Sequence, residues 1–204
     1  MRDLNRIRTR RFRIFLTVSL VWAVYTSSVY ATVIVGEIIS ANYETVLNGH
    51  WYALACAKNS VISEGVYTTR TQADAAQYLW GSTLINNYAT IQETAQAAEY
   101  LSMNSMTYNY LNNYMQFGII KHNIDLGHTI IASLSYVSGN YISYDIRMVL
   151  LIGYGYDNNG TEYIYYHEPV DGIEEVCSFD QFINGYYNSL IYNRTVYNDG
   201  GEER

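Results

Sequence analysis

The chain has 204 residues, enough for one domain with a real core behind a short leader. Hydrophobic residues make up 49% and there is a single proline, which excludes a disordered chain. Beyond residue 31, six basic residues stand against 18 acidic ones, a net charge of −12; that surface repels nucleic acid and anionic membrane, so neither is an expected partner.

The first predicted element is a targeting segment over residues 1–31. "MRDLNRIRTRRFR" carries six arginines, the apolar "IFLTVSLVWAV" follows from Ile14, and "SSVYA" offers small residues for cleavage after Ala31. The alternative is an uncleaved anchor, since "TVIVG" prolongs the apolar character. Thr26, Ser27 and Ser28 interrupt it, however, and the run falls short of the roughly 20 residues a span needs. The expectation is an exported protein, secreted or at the cell surface, with residues 32–204 as a single domain and no membrane contact beyond the leader.

Three helices follow. "NGHWYALACAKNSVISEG" puts Trp51, Leu54, Ala55, Val61 and Ile62 near helical spacing, with Asn48 as N-cap and Gly65 as a stop. "TQADAAQYLWG" opens on Thr71 with Asp74 three residues on. "TIQETAQAAEYL" pairs Thr90 with Glu93 as a capping box. A further helix is predicted within Tyr108 to Phe117, and a β pattern from Ile119.

"HTIIASLSYV", "DIRMVLLIGYGY", "TEYIYYHEP" and "NSLIYNRTVY" are rich in β-branched and aromatic residues, punctuated by "SGN", "DNNG" and "VDG". "DNNG" after Tyr156 signals a hairpin, and "SFDQFING" a short helical turn before the last strand. Helices followed by an antiparallel sheet make an α+β fold, with no repeat and no dividing linker. The 23 tyrosines suit solvent-facing strand positions, and secondarily a groove for extended peptides or glycans.

Few residues here suggest a cofactor or metal. "IGYGY" has two glycines but no Lys-Ser/Thr and no following helix, so it reads as a bent strand rather than a phosphate loop. His50, His122, His128 and His167 lack zinc-ligand spacing, and no metal or cofactor is expected. Cys56 and Cys177 are open to two readings, a disulfide in an exported protein or separate buried thiols.

Six segments in order carry a resemblance. Residues 51–61, "WYALACAKNSV", are similar to a WCWAACAQSV-like helix start. Thr71-Gln72 matches a TQ before the second helix. "IDLGHTII" is comparable to an I-D-x-G-x-P-hydrophobic stretch, and "IRMVLLIGY" to GHAVVLIGY. "YIYYHEPVDG" is comparable to Y-x-Y-x-D-P-x-x-G, and "SFDQFING" precedes a closing strand. From about residue 45 to 197 the chain resembles the papain-like cysteine peptidases, in the bacterial type related to bacteriocin-processing domains. The resemblance implies a helical N-terminal part packed on a C-terminal antiparallel sheet.

In that family a thiolate at a helix start is activated by an imidazolium from the sheet, which an Asp or Asn orients, while an upstream Gln donates to the oxyanion. Carried over by position, the nucleophile falls at Tyr52, the imidazole at Arg147 and the orienting carboxylate at Glu168, and "NYETVLNGH" contains no Gln. A phenol titrates near 10 and a guanidinium gives up no proton in the useful range, so the pair cannot act as nucleophile and base. The resemblance thus implies a catalytically inactive, pseudopeptidase domain that binds a peptide, a cell-wall component or a partner protein. Tyr52, Arg147 and Glu168 would close the old site and hold a peptide end or acidic group, or serve only as structural glue. The other reading is an active peptidase with its nucleophile moved one turn to Cys56, partnered by His50, His128 or His167.

Overall fold

The computed structural model describes residues 35–138, 141–185 and 190–199. The expected leader and cleavage site lie outside them, as does most of the "SGN" turn. Among the described residues no helix is long and apolar enough to cross a membrane.

Strand β1 (Val35–Ile38) comes first, then helices α1 (Tyr52–Ser63), α2 (Gln72–Trp80) and α3 (Ile91–Leu101). Strand β2 (Tyr108–Leu111) and helix α4 (Phe117–Leu126) lead into β3 (Ile130–Ser138), β4 (Tyr141–Tyr156), β5 (Glu162–Glu168) and β6 (Ile173–Ser178). Helix α5 (Phe179–Asn184) and strand β7 (Leu190–Asn198) close the fold. The sheet runs β2-β7-β3-β4-β5-β6, every neighbouring pair antiparallel. β1 extends the line of β3 along β4. The pairing of β3 with β4 ends at Ile130↔Leu151, and β1 takes over at Ile38↔Gly153. The architecture is α+β.

Both faces of the sheet are covered. Met148, Leu150 and Ile152 of β4 pack with Leu54, Cys56 and Val61 of α1 and with residues of α2 and α3. The alternate residues Val149 and Leu151 join Phe117, Ile120 and Ile124 of α4 and Phe179 and Phe182 of α5. A strand buried on both sides reads as a continuous apolar run, which is why "MVLLI" shows no alternation.

Capping is complete where the sequence supplies it. Thr71 with Asp74, Thr90 with Glu93 and Ser178 with Gln181 all form reciprocal capping boxes, and α2, α4 and α5 end on left-handed glycines at 81, 127 and 185. α1 differs from expectation. Its N-cap is Trp51, with no side-chain cap, while the Asn48 carbonyl accepts from the Trp51 amide in the turn before it.

Two further expectations are corrected. Tyr108 to Leu111 is a strand, not a helix, because it pairs with Val196 and its neighbours at the sheet edge. The β pattern begins at Ile130 rather than Ile119, because Phe117, Ile120 and Ile124 bury one stripe of a helix that Gly127 ends. Strands β1, β2 and β6 were not among those expected, so the order is not helices first and strands afterwards.

Candidate functional site

β4 and β5 bring Arg147 and Glu168 together. Leu150 lies opposite His167 in their register, which puts Val149 beside Glu168 and Arg147 within reach of it. Nε and Nη2 of Arg147 both donate to Oε2 of Glu168 at 2.7 Å, and the Val170 amide donates to Oε1 at 3.2 Å. The Glu168 side chain is 1% exposed and that of Arg147 20%. Burial pushes the Glu168 carboxyl above its ordinary value, against the pull of the guanidinium beside it.

Tyr52 is the first residue of α1 and packs, partly buried, on the α1 side of the core. It makes no hydrogen bond or ion pair to Arg147 or Glu168. The residues just before α1 are fixed from outside. The Trp51 indole donates to the Ile85 carbonyl at 2.9 Å, and the His50 amide to Asn86 Oδ1 at 2.9 Å.

The segment leading to α1 is stitched across the seam beside Glu168. The Val46 amide donates to the Pro169 carbonyl at 2.8 Å. Asn59 pairs with both backbone groups of Glu44, and Gln72 joins the Leu47 amide to the Thr45 carbonyl. The buried Gln72 therefore acts as a strut that holds the stretch leading to α1.

Cys56 is fully buried within α1. Burial, and after it the charge of Glu168, push its thiol well above the ordinary range, so it is held neutral. None of His50, His128 and His167 hydrogen-bonds to it. His50 stacks on Tyr88 with ring centroids 4.3 Å apart, His128 pairs with Glu64, and neither ring nitrogen of His167 has a partner. Cys177 is also a free, buried thiol. It belongs to the core on the opposite sheet face from Cys56, which removes the disulfide reading.

His167 was expected only as a partner for Cys56. It is 2% exposed and lies against Tyr43, ring centroids 4.5 Å apart, with its pKa lowered by burial. Sequence reading missed a second polar cluster at the C-terminal end of α1. There Glu64 accepts from His128 Nδ1 at 3.3 Å, from Ser60 Oγ at 3.3 Å and from Asn198 Nδ2. Thr129 Oγ1 donates to Ser60 Oγ at 3.0 Å, and Tyr108 and Ser63 complete the cluster. Its members are up to 134 residues apart, so no spacing rule could have joined them. Among the described residues no group of three His, Cys, Asp or Glu is arranged to hold a metal.

No family model matches the sequence, and no curated protein matches it.

Proposed function

We propose that the chain is an exported papain-like domain that has given up catalysis and works by binding a peptide, a cell-wall component or a partner protein. The observation that carries the reading is the Arg147–Glu168 ion pair. The two positions assigned by resemblance to imidazole and orienting carboxylate are 21 residues apart in sequence, and they meet across adjacent strands. Both oxygens of Glu168 are engaged, and a guanidinium in this place neither accepts a proton nor orients an attacking thiol.

The reading as an active peptidase through Cys56 finds no support in the geometry: the thiol is fully buried and bonded to no imidazole. Tyr52 at the start of α1 remains the position nearest in kind to the family's nucleophile, with a peptide end as the ligand it would help to hold. Basic signal-like residues ahead of an acidic domain support the assignment to the cell exterior.

The deciding experiment incubates the protein lacking residues 1–31, and its Cys56→Ala variant, with a mixed peptide library from pH 5 to 8, read by mass spectrometry. No cleavage by either protein, with a subset of peptides retained on the immobilised domain, is the expected result. Cleavage lost in Cys56→Ala would establish an enzyme instead.

A further inference from the structure

A cavity of about 180 Å³ opens at the C-terminal end of α1, the end away from Tyr52. At 1.5 Å per residue, the 12 residues of α1 separate the two ends by roughly 16 Å. A volume of this size equals about six waters at their share of the liquid, near 30 Å³ each. Its apolar lining comes from Ile38, Met106 and Ile124, and its polar lining from Glu37, Glu64 and His128.

Three features define what fits. No lysine or arginine lines the cavity, while two carboxylates do, so an anion is repelled. The Glu64 side chain is 1% exposed and fixed by Ser60, Asn198 and His128, so its charge is held in place at low solvent access, where attraction to a cation is strongest. The Nδ1 of His128 is committed to Glu64, which leaves Nε2 as the ring nitrogen for a ligand. With no metal-holding group of three donors among the described residues, an organic cation suits the site better than a metal ion.

We propose that this cavity binds a small primary ammonium carrying a short aliphatic chain, the chain lying on Ile38, Met106 and Ile124 and the ammonium between Glu37 and the His128 ring, within the field of the buried Glu64. A lysine side chain and a free alkylamine share that chemistry. The site is independent of the peptide-binding reading above, because it involves neither Tyr52 nor the Arg147–Glu168 pair.

Binding should strengthen as His128 loses its proton, since an imidazolium repels an ammonium and a neutral Nε2 accepts from it. The ionisable groups that share the cavity with the ring are Glu37 on β1 and Glu64 after α1; behind them Tyr108 on β2 acts on Glu64, and Asp125 on α4, paired with Lys121, acts on Glu37. The hydrogen bond to Glu64 raises the His128 pKa, so the change falls on the alkaline side of the usual histidine value.

The test is an amide-shift NMR titration of the protein with n-butylammonium chloride, with n-butanol and butyrate as matched controls, at pH 6 and pH 8. The expected outcome is saturable shifts at Ser63, Glu64, Gly127 and His128 with millimolar affinity, stronger at pH 8, and butanol and butyrate weaker by about tenfold or more. Glu37→Gln should weaken butylammonium about tenfold. Met106→Trp, which fills the cavity, should abolish the shifts in a protein whose spectrum stays dispersed. Lysine amide should behave like butylammonium if the natural ligand is a lysine side chain. Shifts that do not saturate, butanol binding as well as butylammonium, or unchanged binding in both folded variants would overturn the assignment.

Discussion

Arg147 and Glu168 face one another across β4 and β5 with two guanidinium nitrogens on one carboxylate oxygen, and the acid is almost fully withdrawn from water. Removing the guanidinium strands the buried carboxylate, which costs about 3–5 kcal/mol, whereas replacing both with apolar groups of similar volume is often neutral or better. Arg147→Ala should therefore lower stability by about 3 kcal/mol in urea unfolding, while Arg147→Met with Glu168→Leu stays within about 1 kcal/mol of the parent. A single variant as stable as the parent would mean the pair is solvated.

The thiols give a second expectation. Cys56 is completely buried, and burial followed by the Glu175 charge pushes the Cys177 thiol up to about 12. Neither should react with a thiol reagent at pH 8 in the native protein, and both should react once it is unfolded. A cysteine introduced as Tyr52→Cys, at the uncapped start of α1, should label in the folded state and faster than either native thiol. Rapid native labelling at Cys56, followed by mass mapping, would reopen the case for a nucleophile there.

The β1–β4 contact depends on glycine. A Cβ on Gly153 would sit 2.5 Å from the Glu37 carbonyl oxygen, and one on Gly36 would fall 1.7 Å from that of Tyr154, both backbone atoms that cannot swing away. Gly153→Ala should lower stability by about 2–3 kcal/mol, in the range of an overpacked core, and raise amide exchange across residues 35–39. Exchange unchanged in that segment would show that β1 accommodates the methyl group.

What was legible in the sequence follows from whether the signal is local. The Thr90–Glu93 capping box and its relative at Thr71 and Asp74 lie within four residues each, and the "DNNG" hairpin and the apolar run of β4 are equally short-range. β2 and β6 are edge strands of four and six residues whose pairing partners decide their conformation, and the YNYL of β2 was mistaken for helix. At the site, position by position comparison singled out Arg147 and Glu168, whose meeting depends on the β4–β5 register. Nothing local linked Tyr52 to them or announced the Glu64–His128–Asn198 cluster, because those contacts exist only once α1, the turn after α4 and β7 have packed.

The buried His167 and the half-buried His128 set stability against pH in opposite directions. His167 has a folded-state pKa below the ordinary value of about 6.5, because burial disfavours its charged form and neither nitrogen has a partner; Asp171 offsets this only in part. The unfolded chain then binds the extra proton, so the contribution is present above about pH 6.5 and is lost as pH falls below it. His128 has a raised folded-state pKa through its hydrogen bond to Glu64. Its contribution is complete below about pH 6.5 and is lost as pH rises through the folded value. Stability should thus peak near the ordinary histidine value of about pH 6.5 and fall on both sides of it. His167→Leu, which keeps the ring's place apolar against Tyr43, should flatten the acid limb alone, and His128→Gln the alkaline limb alone. Urea midpoints of the three proteins at half-unit pH steps decide it: an acid limb that survives His167→Leu would assign that loss to the carboxylates instead.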